Sequence, residues 1–335
     1  MPRVDVIFPV YNAAPTLERA LDSLCAQSFT DWNCWAVDDG STDTSPRILA
    51  HRSRHDARVH VLTRPHAGIV SALNAGLACA QAPLVARLDA DDACHPARFE
   101  RQVAFLDTHA AIGVAACQVA YQSTFGPQGG FATYVRWVNS LTSARDHRLN
   151  RFIDAPVVHP TVMARRELFD RYGAYRDSPP WPEDFELWLR WMEAGVDFAK
   201  VPQLLYTWVD RPDRLSRHDT RYAMARFYEC KAAYLASGPL RNTPAIGVWG
   251  AGRLTRKRAE LLTAHGIDIQ FYVDVDRRRI GQCIHGRPVL SRAELDHAPD
   301  IPLVTYVASR GARDQIRGWL RDTRYVEGRN FWCAA

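Results

Sequence analysis

The sequence has no long apolar run. Nowhere does it approach the roughly 18 consecutive apolar residues that a membrane-spanning helix needs, so any membrane contact is expected to be peripheral. A secretory leader is not expected either, because VDVIFPV at 4–10 reads as a strand beginning almost at the first residue. Cysteine pairing signals are missing as well. The eight cysteines (Cys25, Cys34, Cys79, Cys94, Cys117, Cys230, Cys283 and Cys333) form no Cys-x-x-Cys pair and no zinc-ligand spacing. Several lie in apolar stretches such as WNCWAV and VAACQVA, where a free thiol packs as a small hydrophobe. That argues against a disulfide scaffold and for a reduced, cytoplasmic setting. One-sided charge is absent too: 42 Lys and Arg stand against 37 Asp and Glu. This excess is too small and too scattered for a nucleic-acid partner. It suits an anionic substrate, or light contact with an acidic membrane surface at the inner face. Low-complexity tracts and internal repeats are not found.

What is present is a chain of 335 residues, long enough for two domains, with 47% hydrophobic and 24% charged residues. Its first hundred residues alternate strand and helix signals. Strands are expected at 4–10, 32–39, 58–64 and 83–92, each followed by a helical stretch, at 15–27, 45–55, 69–80 and 96–109. That rhythm argues for a parallel sheet covered by helices. From 113 to 210 the pattern is less regular, with a Gly-rich loop at 126–130 and a loop entering a helix at 179–195. A long helix is expected at 221–236, a Gly/Pro/Asn linker at 237–245, and a fresh strand–helix rhythm from 246 onward. The fold class is therefore α/β, with domains at 1–236 and 246–335.

Ligands of open parallel sheets sit at the carboxyl ends of the strands. Three successive strand ends carry polar groups here: Tyr11-Asn12, Asp38-Asp39, and Asp89 with Asp91 and Asp92. A single acidic strand end is most simply a helix cap or turn. Two acidic pairs at neighbouring strand ends crowd carboxylates that repel unless a cation or hydrogen-bond donors hold them. Mg²⁺ or Mn²⁺ shared with substrate phosphates fits that chemistry.

The blocks FPVYN (8–12), VDDGSTD (37–43), RLDADD (87–92) and PEDFELWLR (182–190), in this order and spacing, resemble glycosyltransferase family 2 on a GT-A fold, over roughly residues 3–215. The resemblance implies residue roles. Asp39, with the backbone near Pro9 and Tyr11, would hold the nucleobase, and Asp38 would support that loop beside Asn12. Asp89 would lie near the ribose and Asp91 would bind a metal bridging the diphosphate. Asp184 would be the general base that deprotonates an acceptor hydroxyl, while Glu183 orients the loop or the donor sugar. Asn74 stands where the family has Asn, but Leu73 occupies a position where a basic residue is common. Donor phosphate contacts would then come from Arg64, Arg87 or Arg165. His159 would touch diphosphate or acceptor, or else serve as a structural hydrogen-bonding group. WVDRPDRLSRH (208–218) resembles a segment that closes over donor and metal, where His218 would be either a metal ligand or a plain surface residue. Trp181, on a loop, would stack on a sugar, whereas Trp188 and Trp191 have the helical spacing of core residues.

In the C-terminal part, Gly250-Ala251-Gly252 follows a strand and opens a helix, and Asp274 ends the next strand. This imitates a dinucleotide fingerprint, but Thr255 stands at the third glycine position. The segment resembles Rossmann-like accessory domains of sugar-modifying enzymes, for which a structural or docking role is expected ahead of nucleotide binding. Arg253, Arg256, Lys257 and Arg258 would at most attract an anion weakly. The whole chain is thus expected to be an inverting, metal-dependent transferase. It would move a sugar from a nucleoside-diphosphate donor, UDP by preference, to a glycan or lipid-linked hydroxyl in surface glycan or glycolipid synthesis. The alternatives are an NAD(P)-dependent oxidoreductase run by the C-terminal domain and a catalytically silent sugar-nucleotide-binding scaffold.

Overall fold

The computed structural model describes residues 1–126 and 129–335. Of the expected Gly-rich loop at 126–130, Pro127 and Gln128 lie outside the described residues. The chain forms two compact units, one of Met1–His147 and Pro156–Thr220, the other of Arg148–Ala155 and Arg221–Ala335. Among the described residues no helix is long and apolar enough to cross a membrane. All eight cysteines are free thiols, and only Cys283 is exposed.

The first unit opens with the expected alternation: β1 (Val4–Val10), α1 (Ala14–Cys25), β2 (Trp32–Asp38), α2 (Ser45–His55), β3 (Val59–Thr63), α3 (Ile69–Cys79) and β4 (Leu84–Arg87). Every residue of β1 is buried, as a central strand covered on both faces requires. In α1 the stripe of Leu17, Ala20, Leu21 and Leu24 faces the core. Next come β5 (Ala93–Cys94), α4 (Arg98–Thr108), the long strand β6 (Ile112–Ser123), α5 (Gly129–Ser140) and α6 (Ala144–Asn150). The unit continues with β7 (Met163–Arg165), α7 (Glu167–Tyr172), α8 (Glu183–Glu193), β8 (Asp197–Asp210) and α9 (Leu215–His218).

These strands form one sheet in the order β3-β2-β1-β4-β7-β6-β8-β5. The first four are parallel, with Val10 opposite Asp38 and Ile7 opposite Arg87. That register brings Tyr11, Asp39 and Asp89 to one edge of the sheet. The short strand β7 runs antiparallel to both β4 and β6. Helix α3 lies close on β1 and β2 because Gly76 has no side chain. A Cβ there would come within 2.8 Å of Ile7 Cγ2 and 3.2 Å of Val37 Cγ2.

The second unit contains α10 (Met224–Ser237), β9 (Ala245–Trp249), α11 (Arg253–Ala259), β10 (Asp268–Val273), β11 (Cys283–Ile284), β12 (Arg287–Leu290), β13 (Leu303–Thr305), α12 (Ala312–Leu320) and β14 (Phe331–Cys333). Its sheet order is β11-β12-β10-β9-β13-β14, parallel throughout except for the β11–β12 hairpin. With β9 central and the chain winding out to either side, this is the doubly wound order. Helix α10 groups with this unit, not with the first 236 residues as its sequence position suggests. The ammonium of Lys231 donates to the carbonyls of Ile153 (2.6 Å) and Ala334 (3.3 Å), and Tyr228 packs on Tyr306 under the guanidinium of Arg258.

The glycine turn of this unit is closed from within. The Ala251 amide donates to Asp274 Oδ2 at 2.8 Å, and Arg279 donates to the same oxygen at 3.1 Å. The amides of Val275 and Asp276 hold the other oxygen. Thr255 is buried, its methyl 3.0 Å from where a Gly250 Cβ would lie. The amide and the carboxylate that a dinucleotide would need are thus bonded to each other.

Two outcomes are expected. Gly76→Val should lower the unfolding free energy by about 1–3 kcal/mol, the usual cost of overpacking, and urea denaturation measures it; an unchanged midpoint would contradict the close approach of α3. Calorimetric titration of the protein with NAD and NADP should give no saturable heat, and a low-micromolar dissociation constant would show that the turn opens.

Candidate active site

The site is built where parallel strands end. Leaving β1, the chain turns through Asn12, whose backbone is left-handed (φ 47°). The Asn12 side-chain oxygen accepts the Thr42 amide at 2.8 Å, and Ser41 Oγ accepts the Asn12 amide at 2.9 Å. Asp38 is buried and accepts the Ser41 amide at 3.0 Å, so it shapes the same loop. Asp39 is buried too. Its carboxylate accepts the amides of Ala67 (3.2 Å) and Gly68 (2.8 Å) and lies 2.8 Å from His66 Nδ1 and 3.5 Å from Arg64 Nε. The exposed ring of Tyr11 stacks on His66 with centroids 4.1 Å apart. Together these groups make a shallow aromatic and acidic cradle at the ends of β1 and β2, with Pro9 in the strand beneath.

The next strand end carries the acidic cluster. Among the described residues, Asp89, Asp91 and Asp92 are the one group of three potential metal ligands, their oxygens lying within 4.8 Å of one another. Asp92 is fully buried and accepts from Tyr206 Oη (3.1 Å) and the Val209 amide (2.8 Å). Burial pushes the Asp91 and Asp92 carboxyls up, Asp92 strongly, while Arg214 works the other way. Arg214 lies 3.4 Å from Asp92, 3.7 Å from Asp91 and 3.9 Å from Asp89. It also donates to the Val209 carbonyl at 2.8 Å and lies over the Trp208 ring.

Arg87 supports this cluster from behind. It is 3% exposed, so the charge must be paired inside the protein. It donates to Asp89 Oδ1 at 2.7 Å, to the Ile7 carbonyl at 3.3 Å and to His159 Nε2 at 3.3 Å. A guanidinium only donates, so Nε2 accepts and the ring is neutral with its proton on Nδ1. Burial, with help from Arg87, holds the His159 pKa well below its ordinary value. Tyr175 Oη lies 2.7 Å from the same nitrogen, and Glu183 Oε1 lies 3.9 Å from Nδ1.

Glu183 and Asp184 open α8, where the helix dipole favours carboxylates. The helix is clamped by Arg190, which pairs with Glu186 at 3.0 Å and donates to the carbonyls of Gly173 and Ala174. Burial above all pushes the Tyr175 hydroxyl up. Arg87 opposes this, and the charges of Glu183, Asp184 and Asp89 add to it. Glu183, the first of the pair that opens α8, is thus linked to Asp89 through His159 and Arg87.

Other expected contacts lie elsewhere. Both ends of the Asn74 amide are bonded to the Tyr175 backbone, at 2.9 and 3.1 Å, so it fixes that loop. Arg165 faces Leu84, the first residue of β4, and donates to the carbonyls of Ile112 and Leu106, away from the phosphate side. Arg64 braces Ser71 at 2.6 Å from both its carbonyl and its hydroxyl. His218 is exposed, its ring nitrogen 2.8 Å from the Pro212 carbonyl, and it stands outside the carboxylate group. Trp181 is half-buried on the loop before α8, and Trp188 and Trp191 are core. Asp92 stood in the marked strand end without a role of its own, and Arg214 and its partners at Val209 and Trp208 were not marked singly. The one signal for these three was the segment 208–218 itself.

Known proteins share the sequence pattern and the fold of this unit. The family model described as glycosyl transferase family 2 matches residues 5–173. EpsE of Bacillus subtilis (strain 168), named a glycosyltransferase, is 29% identical over 227 residues, 67% of this chain and 78% of its own. The amylovoran biosynthesis glycosyltransferase AmsE of Erwinia amylovora is 29% identical over 245 residues, 71% of this chain and 89% of its own. Among solved structures, S. aureus TarS 1–349 in complex with UDP-GlcNAc has a TM-score of 0.58 at 18% identity, covering 78% of this chain and 71% of that one. The mannosyltransferase PcManGT of Pyrobaculum calidifontis, in complex with GDP-Man and Mn²⁺, has a TM-score of 0.53 at 20% identity, covering 79% and 69%. The first unit has the GT-A architecture of these structures, and with the family model running from β1 to α7 this chain is a glycosyltransferase and belongs to glycosyl transferase family 2.

Proposed function

We propose that the enzyme transfers a sugar from a UDP-sugar to a hydroxyl of a growing surface polysaccharide or glycolipid, with inversion and with a divalent metal. The observation that carries this reading is the acidic cluster after β4, linked through Arg87 and His159 to Glu183 at the start of α8. The base would lie within hydrogen-bond reach of the acceptor, across the reacting carbon from the leaving diphosphate. With one base and no paired nucleophile, a single in-line displacement is the natural course. The cradle of Tyr11, His66 and Asp39 would take the nucleobase, Asp39 accepting from its ring N–H. Asp89 would face the ribose and Asp91 would ligate the metal.

Hard carboxylate oxygens within 4.8 Å of one another suit Mn²⁺ or Mg²⁺. Such an ion, when bound, stabilises negative charge on a leaving diphosphate. Asp184 would take the acceptor proton, and Glu183 would orient the loop. The names of AmsE and of the succinoglycan biosynthesis protein ExoU from Rhizobium meliloti (strain 1021) support the polysaccharide product. UDP-GlcNAc in the TarS complex and Mn²⁺ in the Pyrobaculum complex support donor and metal.

Two substitutions test this directly. Asp91→Asn should abolish the Mn²⁺-dependent rise in melting temperature that UDP produces, because a ligand that binds only the folded state stabilises it by mass action; an undiminished Mn²⁺ effect would remove Asp91 from the metal site. Asp184→Asn keeps the shape and loses the base, so transfer should fall by roughly 10²-fold or more while UDP affinity persists. Normal turnover in that variant would move the base elsewhere, and lost UDP affinity would make Asp184 a donor contact.

A further inference from the structure

The three carboxylates after β4 already face a cation that belongs to the chain. Arg214 sits on the segment 211–218 and, among the described residues, is the one whose guanidinium approaches all of them, at 3.4, 3.7 and 3.9 Å from Asp92, Asp91 and Asp89. Its side chain is 12% exposed, so the contact is largely out of water. The neighbouring arginines of the segment are spent elsewhere. Arg217 forks onto Asp210 at 2.8 and 2.9 Å, and Arg211 pairs with Asp213 at 2.8 Å. Tyr121 donates to Asp210 as well, so that end of the segment has an anchor independent of the cluster. Among the described residues of the segment, Arg214 is the one that pairs closely with the proposed metal ligands.

We propose that Arg214 is an internal counter-cation of the carboxylate cluster and competes with the divalent metal for it, so that metal binding releases segment 211–218 from the site. The inference rests on the metal reading given above for Asp89 and Asp91. A guanidinium and a divalent ion drawing on the same two or three carboxylates repel each other at close range in a site poor in water. One has to give way. Arg214 is on a short surface segment and can move, whereas Asp89 is held by buried Arg87 and Asp92 by Tyr206 and Val209. The paired state offsets part of the charge of three crowded carboxylates without metal, with Arg87 on Asp89 adding to it. The metal-bound state frees a guanidinium and an adjoining helical turn at the mouth of the donor site.

Mn²⁺ binding to the full-length, donor-free protein, followed by the electron paramagnetic resonance signal of free Mn²⁺, tests the competition. Arg214→Gln should tighten Mn²⁺ binding by about tenfold or more, on the scale of removing one nearby charge. Arg211→Gln is the control. Its charge also acts on Asp91, but its fork is given to Asp213, and it should change affinity by less than about twofold. Chymotryptic cleavage after Leu215, whose side chain is exposed next to Arg214, supplies the second readout. Mn²⁺ alone should accelerate it in the wild type, whereas in Arg214→Gln it should be fast with or without the ion. Equal gains in both variants, no gain in Arg214→Gln, or wild-type cleavage indifferent to Mn²⁺ would each overturn the competition. Failure of every variant and of the wild type to bind Mn²⁺ would overturn the metal reading along with it.

Discussion

A guanidinium taken out of water has to find an acceptor in every direction it points, and Arg87 finds them on separate parts of the chain. Its partners are the carbonyl of Ile7 in the central strand, the carboxylate of Asp89 just past its own strand, and the imidazole of His159 some seventy residues on. Beneath it, Arg98 is likewise fully buried and donates to the carbonyls of Arg87 and Val162, with Gln102 continuing to Ala115 and Thr161. These groups stitch parallel β4 to the antiparallel strand β7 and to the turn that carries His159. An acidic cluster can sit at the end of β4 because its supporting charges are held rigidly in place. Loss of one partner would leave a buried charge uncompensated, which costs far more than the pair itself contributes.

The parallel half of the first sheet was legible because each strand and each helix announces its own period, and a strand end is also a position in space. Asp38, Asp39, Asp89 and Asp91 follow from that alone. The irregular half was not legible to the same degree. Strands β6 and β8 are long and pair in parallel with shifts of register, and nothing local to either sequence records the other. Arg214 escaped notice for the same reason, since its contact with Asp92 spans 122 residues. Asn74 has a structural use that its sequence position does not show. A polar residue on a helix beside the site reads as a ligand contact, but its amide has the right shape to satisfy one backbone donor and one acceptor at Tyr175.

In the C-terminal unit the glycines and Asp274 were correctly placed by spacing, since turn and strand end are local features. What fills the turn was not. Arg279, five residues beyond Asp274, folds back onto the carboxylate that a ribose would seek. The boundary of the unit was hidden for a different reason. Helix α10 is continuous in sequence with the transferase but buries Tyr228, Cys230 and Leu235 within the second unit, to which the short stretch Arg148–Ala155 also belongs. A unit assembled from two separated stretches has no linear signature.

The lone pair that His159 turns toward Arg87 has a bearing on where protons travel. A second proton on that imidazole would have to expel a buried guanidinium, so the ring is withdrawn from acid–base traffic although it stands 3.9 Å from Glu183. The proton taken from an acceptor by the proposed base has no imidazole to pass through. From Asp184, the proposed base, which is only partly buried, that proton would have to pass on without this ring.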